Sequence, residues 1–240
     1  MSCADLSPMY YDRMDLLSTY ELIRSGLEGC ELPEPLEPFD HVKEVDRLRI
    51  AFRPEKTLLL MLAESHVRVT DEYFTHTGAG FIYNHRYYTP WWSDLLVPAL
   101  GTQEVQNVRL TETARLAQLR RFQRLGFWVV DASVIALSGY KKLGKDFEGR
   151  PFDVVKRAII EISWEEYVGP IVDEMLNQAQ PPVICYFETV GFVLPEEVRK
   201  KGTALKFCSQ ANASDYRSET YPHGTAAFIS AARRAGISPE

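Results

Sequence analysis

Cysteine is scarce in this chain, which contains four cysteines in 240 residues and no C-x-x-C pair. Cys3, Cys30, Cys185 and Cys208 are widely spaced. This spacing argues against a zinc ribbon, an iron–sulfur cluster and a disulfide scaffold. We interpret the four side chains as free, mostly buried thiols.

Long hydrophobic runs are also missing. The longest apolar run, residues 57–63, is far shorter than the roughly 18 residues of a membrane-spanning helix. Residues 1–30 carry several charged side chains where a signal peptide would have its apolar centre. We therefore expect a cytoplasmic or nuclear protein with no membrane partner. The net charge of −6 excludes a strong basic field over the whole molecule, although a local basic face remains compatible with it.

Several motifs of common enzymes are absent as well. The sequence has no G-x-G-x-x-G, no Walker A motif, no G-x-S-x-G elbow and no H-E-x-x-H. The main sequence evidence is therefore missing for a dinucleotide site, a triphosphate site, a hydrolase of the nucleophile-elbow type or a zinc protease. We expect neither a cofactor nor a metal ion.

Short apolar runs alternate with helical patterns over most of the chain. The strand-like runs cover residues 57–63, 126–132, 182–188 and 204–209. This alternation predicts an α/β fold, doubly wound, with a mainly parallel four-stranded sheet flanked by helices. The length suits one domain, in which residues 1–56 form an N-terminal helical strap and residues 57–240 form the core.

Each strand-like run ends in polar residues. These ends are residues 64–66, 131–133, 188–191 and 209–212. In an open α/β sheet, ligands bind outside the carboxyl ends of the strands, where the strand order reverses. The convergence of polar groups at all four ends predicts a functional site at this edge.

The order of these parts resembles the uracil-DNA glycosylase superfamily over residues 57–236. "LLLMLAESH" stands where the family has a strand and a water-activating G-Q-D-P-Y-H-like loop, and "HTGAGFIYN" where it has a Gly-rich stretch and a base-stacking Phe. "GFWVVD" places Asp131 at the family's base-reading Asn, and "CSQANASDYRSETYPHG" lies at the last motif and the DNA-inserting loop. Ser65 occupies the place of the water-positioning Asp, and no His follows the last strand directly.

The resemblance implies a monomeric enzyme that flips a deaminated base, foremost uracil, out of single- or double-stranded DNA and hydrolyses its N-glycosidic bond without a metal ion. The catalytic candidates are Glu64, His66, Asp71 and Asp131. The base-binding candidates are Ser65, Phe81, Tyr83, Asp131 and Asn212. The DNA-binding candidates are Lys141, Lys142, Arg217 and His223.

Some roles stay open at this stage. Asp71 also fits a helix N-cap, and Asp131 a turn cap. An ionised Asp131 only accepts hydrogen bonds, so it is protonated by burial, reads another base edge, or takes part in catalysis. Two other classes of protein compete: a non-catalytic relative that binds nucleic acid or a nucleotide, and an unrelated small-molecule enzyme on the same fold.

Overall fold

The computed structural model of the chain describes residues 15–28, 35–66, 82–85, 111–137, 151–179, 181, 183–185, 190, 193–194, 205–207, 232–233 and 235–237. Nine regular elements and one π-helical turn lie in these ranges. The helices are α1 (Leu16–Gly26), α2 (Phe39–Ala51), α3 (Glu112–Arg124), α4 (Pro151–Ser163) and α5 (Gly169–Ala179), with the π-helical turn Trp164–Val168 between α4 and α5. The strands are β1 (Leu59–Ala63), β2 (Phe127–Asp131), β3 (Val183–Cys185) and β4 (Leu205–Phe207).

The four strands form one parallel sheet in the order β2-β1-β3-β4. β1 pairs with β2 on one side, with Ala63 opposite Asp131, and with β3 on the other side, with Leu60 opposite Val183. Every residue of β1 and β2 is buried. Burial on both faces explains why these strands are continuous apolar runs without polar–apolar alternation. Each strand lies inside one of the runs from which the sequence predicts a strand, and the doubly wound class itself stays a prediction.

Side chains close the first turns of two helices. The Asp15 carboxylate accepts a hydrogen bond from the Leu17 backbone N–H (3.0 Å) at the start of α1. The Thr111 hydroxyl accepts one from the Ala114 N–H (3.2 Å) at the start of α3. Such caps satisfy backbone donors that have no partner within the helix. Asp15 and Thr111 therefore specify where α1 and α3 begin.

Helix α2 carries charge on its buried face. Val42, Val45, Asp46 and Arg49 are all buried and follow one another at i, i+3, i+4 and i+7. This spacing is the apolar stripe of an amphipathic helix, but two of its positions are ionisable side chains. Buried charges need partners, and the partners of these two lie at the ends of the strands and in the π-helical turn.

One hydrophobic core joins the N-terminal helices to the sheet. It includes Ile23 of α1, Val45 of α2, Leu60 of β1 and Val129 of β2. In the described part of the chain, no helix has the length and apolar character needed to cross a membrane. The strap predicted for residues 1–56 thus contributes to the same core as the strands.

Candidate functional site

The ends of β1 and β2 lie side by side and continue their pairing into the loops that follow. The Ala132 N–H donates to the Ala63 carbonyl (2.8 Å), and the Ser133 N–H donates to the Glu64 carbonyl (3.0 Å). Strand order reverses at β1, because β2 lies on one side of it and β3 on the other. Residues 64–66 therefore begin at the edge where open α/β sheets bind ligands.

His66 lies between two carboxylates in this region. Its Nε2 is 3.0 Å from Oε1 and 2.9 Å from Oε2 of Glu37, which belongs to the segment before α2. Its Nδ1 is 4.0 Å from Oδ2 of Asp131, the last residue of β2. The imidazole thus connects the N-terminal segment to the carboxyl end of β2.

Asp131 is paired with a buried arginine of α2. Its Oδ2 accepts a hydrogen bond from Nη2 of Arg49 (3.1 Å), and Nη1 of Arg49 contacts Asp46 (3.3 Å). The Tyr167 hydroxyl in the π-helical turn donates to the other oxygen of Asp46 (2.6 Å). We call Glu37, His66, Asp131, Arg49 and Asp46 the strand-end cluster; Tyr167 borders it.

Burial and neighbouring charges set the ionisation of this cluster. Burial alone raises the pKa of the Glu37 carboxyl, but the charge and hydrogen bond of His66, with the Ala136 N–H and His41, hold it below its ordinary value. Burial raises the pKa of Asp46 more than Arg49 and Tyr167 lower it. Burial also lowers the pKa of Arg49, but Asp131 and Asp46 raise it above the ordinary value. Glu37 and Arg49 are therefore charged at neutral pH.

The loop after β2 is buried over residues 132–137, so its backbone donors need acceptors within the protein. Side chains from four parts of the chain provide them. Ala136 N–H donates to Glu37 Oε2 (2.8 Å), Leu137 N–H to Ser65 Oγ (3.0 Å), Val134 N–H to Ser163 Oγ (3.2 Å) and Ile135 N–H to Ser133 Oγ (3.3 Å). These bonds hold the loop against both the strand ends and the N-terminal segment.

Glu64, the first residue after β1, forms an ion pair with Lys156 of α4. The Glu64 side chain is buried, and that of Lys156 is one-fifth exposed. A lysine that reaches a buried carboxylate from the edge of the protein balances its charge without itself losing all contact with water.

Tyr83 contacts the outer edge of β2. Its hydroxyl accepts from the Val129 N–H (2.5 Å) and donates to the Val129 carbonyl (3.2 Å), and its ring stacks on Phe52 at 5.7 Å. Among the described strands, β2 has a neighbour on one side only, so the tyrosine satisfies backbone groups on the other side. In this position Tyr83 has a structural role, because it bonds to the backbone of β2 at the edge of the sheet.

The structure therefore brings together four of the residues that the sequence singles out. Glu64, Ser65, His66 and Asp131 meet at the ends of β1 and β2, and Tyr83 bonds to β2 at Val129, two residues before Asp131. The remaining candidates fall outside the described residues: Asp71, Phe81, Asn212, Lys141, Lys142, Arg217 and His223. The thiol prediction for the cysteines falls outside the described side chains as well.

Sequence reasoning missed the partners of these groups. Glu37 sits in the Pro-rich "ELPEPLEPF", where an acidic residue predicts an exposed connector. The sequence does carry a signal for Asp46 and Arg49, because they continue the apolar stripe of Val42 and Val45 in α2. Charged residues within an apolar stripe predict a buried ion pair. We found no comparable sequence signal for Lys156 or Tyr167.

Comparison of the chain with protein-family models, with curated proteins and with solved structures gives no match. Among the side chains that the structure describes, no group of three or more His, Cys, Asp or Glu is placed to hold a metal ion.

Proposed function

We propose that this protein is a DNA repair glycosylase that hydrolyses the N-glycosidic bond of a flipped deaminated base, with uracil as the base and without a metal ion. The observation that carries the proposal is the position of His66, which follows β1 at the ligand-binding edge and lies between Glu37 and Asp131. The order of the motifs along the chain, which resembles that of uracil-DNA glycosylases, supports the same reaction.

The charges at the strand ends suit this chemistry. Breaking an N-glycosidic bond develops positive charge on the sugar and negative charge on the departing base. In the proposal, the Glu64 and Asp131 carboxylates stabilise the sugar cation, and Glu64 also orients the attacking water. His66 takes up a proton from the attacking water and gives it to the departing base. Lys156 and Arg49 hold the two carboxylates in place through their ion pairs.

Ser65 provides the point of contact with the substrate. Ser65 as a residue is partly exposed, whereas only 2% of Glu64, 3% of His66 and 2% of Asp131 are exposed. The Ser65 oxygen accepts a hydrogen bond from the Leu137 N–H, and the hydroxyl hydrogen is then able to donate to a carbonyl of the base. Glu64, His66 and Asp131 are more deeply buried than Ser65 and act in a water-poor environment, where electrostatic effects are strong.

A second candidate function is that of a non-catalytic relative that binds nucleic acid or a nucleotide. The near-complete burial of Glu64, His66 and Asp131, each with a protein partner, favours it. In that case the strand-end cluster stabilises the fold, and the exposed edge alone contacts the ligand.

An assay for abasic sites separates the two functions. The full-length protein is incubated with a uracil-containing oligonucleotide and, as a matched control, with the same sequence carrying thymine; alkali then cleaves abasic positions. We expect cleavage at the uracil position only. Absence of any abasic product from a folded protein in excess over DNA would contradict the glycosylase. DNA binding that weakens steeply with salt, without cleavage, would select the second candidate.

A further inference from the structure

We propose that Glu37, which lies outside the region of family resemblance, is a positioning residue that fixes the tautomer of His66 with the proton on Nε2 and Nδ1 directed at Asp131. The catalytic consequence of this arrangement rests on the function proposed above. The arrangement itself follows from the contacts around the two side chains.

The geometry of the Glu37–His66 contact places a hydrogen on Nε2. Both oxygens of Glu37 lie within 3.0 Å of the same nitrogen, Nε2. An ionised carboxylate accepts hydrogen bonds and donates none. Nε2 therefore has to carry a hydrogen to make this contact favourable.

Glu37 is itself held by hydrogen bonds from two other parts of the chain. Its Oε2 also accepts the Ala136 N–H (2.8 Å), and its backbone carbonyl accepts the Tyr20 hydroxyl (2.7 Å). The first bond fixes the carboxylate against the buried loop after β2, and the second fixes the backbone of Glu37 against α1. Because the carboxylate cannot turn away without leaving the Ala136 N–H buried and unsatisfied, the ring of His66 has to adapt to it.

Asp131 lies on the other side of the His66 ring. Nδ1 is 4.0 Å from Oδ2 of Asp131, and that oxygen is already bonded to Arg49. This separation is too long for a hydrogen bond. With the proton of the neutral ring on Nε2, Nδ1 is the nitrogen that takes up or gives back a proton on the side of the strand ends. A carboxylate that selects the tautomer of a catalytic histidine is a known way of preparing it for proton transfer.

The tautomer is measured by long-range 1H–15N correlation on protein labelled at its five histidines, at a pH where the ring of His66 is neutral. Loss of one signal set in the His66→Gln variant assigns His66. We expect a protonated Nε2 and an unprotonated Nδ1 in the wild type. A proton on Nδ1, or a ring that stays doubly protonated at every pH where the protein is folded, would overturn the proposal.

The variant Glu37→Gln tests whether the carboxylate of Glu37 sets the tautomer of His66. A glutamine has one acceptor oxygen, which the Ala136 N–H retains, so its NH2 group turns towards Nε2. His66 is then expected to switch to the Nδ1–H tautomer. Glu44→Gln, the same change at an exposed position of α2, should leave the spectrum of His66 unchanged. An unchanged tautomer in folded Glu37→Gln would contradict the proposal, and if this variant does not fold, the wild-type spectrum still decides.

Uracil release provides a separate readout. We expect Glu37→Gln to lower kcat by about a hundredfold, with KM little changed, and Glu37→Asp to recover part of the loss. If the wild type releases no uracil but the tautomer result holds, the proposed function fails and the positioning of His66 stands. If the wild type is active and Glu37→Gln is equally active despite a switched tautomer, the positioning role is wrong and the glycosylase stands.

Discussion

At the scale of single residues, the main feature of this protein is that buried ionisable side chains at the strand ends have partners from the segment before α2, from α2 and from α4. Asp131 is the clearest case. The resemblance places it where the family reads the base edge, and the structure pairs it with the buried Arg49. A carboxylate in this position is compensated, so neither protonation nor contact with a base is needed to explain its burial.

The Arg49–Asp131 pair should couple strongly in a double-mutant cycle of Asp131→Asn and Arg49→Met. Each single change leaves a buried charge without this partner, so we expect each to lower the free energy of unfolding by about 3 kcal/mol or more. The double variant should lose at least about 1 kcal/mol less than the sum of the two. Urea unfolding measures all four proteins.

The exposed pair Glu44–Arg47 on the same helix is the matched control for this cycle. Glu44→Gln and Arg47→Met should show a coupling of about 0.5 kcal/mol or less, because solvent screens exposed ion pairs. A coupling energy between Arg49 and Asp131 no larger than that of the control pair would show that the buried pair does not form.

Asp46 should make stability depend on pH. Burial is the largest influence on this carboxyl and raises its pKa above the ordinary value of 3.8. The native protein therefore holds this proton more tightly than the unfolded chain, and its free energy of unfolding falls as the pH rises from 3.8 through the raised native value. Asp46→Asn removes this contribution, so the stability of the wild type relative to the variant should fall over that window and be constant above it.

Urea unfolding of both proteins at a series of pH values measures this difference. Asp40→Asn, at an exposed position of the same helix, is the control. A difference that is flat across the window, or that rises with pH, would contradict the inferred shift of Asp46. The same trend in Asp40→Asn would show that burial is not its cause.

At the scale of elements, the turn from α3 into β2 depends on Gly126. Its φ of +75° is unfavourable for other residues, and a Cβ there would lie 2.7 Å from the Lys56 carbonyl oxygen. Its own carbonyl accepts the N–H groups of Leu58 and Leu59, at 2.7 and 3.1 Å. The glycine thus lets the backbone before β2 approach the backbone before β1 closely enough to start the sheet.

Gly126→Ala should lower the free energy of unfolding by about 2 kcal/mol or more, from the left-handed backbone and the clash together. Gly236 has the same φ of +75°, but among the described residues no atom lies within 4 Å of the point that an added Cβ would occupy. Gly236→Ala should therefore cost only the backbone contribution, about 1 kcal/mol. Thermal or urea unfolding of the two variants compares them. Equal losses would show that the close approach at Gly126 contributes nothing.

The elements differ in how far the sequence predicts them. The strands could be located because continuous runs such as "LLLMLA" are typical of strands buried on both faces. The sequence also placed Glu64, His66 and Asp131 near one another, because the carboxyl ends of parallel strands share an edge. It did not indicate Glu37, because an acidic residue among prolines looks the same in a sequence whether it is exposed or buried against a histidine. Such pairings depend on tertiary contacts between residues far apart in the chain.

At the scale of the whole molecule, the N-terminal segment and the strands make one unit. Residues 35–51 provide Glu37 and Arg49, and residues 59–66 and 127–137 provide the groups with which they pair. The division into a strap and a core describes the order of the chain rather than two separable parts of the site. A glycosylase built on this chain would need residues 35–51 for the geometry of its histidine, not only for stability.

The most direct test of this account is the single-turnover rate of uracil release by wild type and by His66→Gln, with both proteins shown to be folded by their unfolding transitions. Glutamine keeps a donor for Glu37 but cannot exchange a proton as imidazole does. We predict release by the wild type and a rate at least about a hundredfold lower in the variant. Equal rates in the two proteins, or no release by the wild type, would contradict the account.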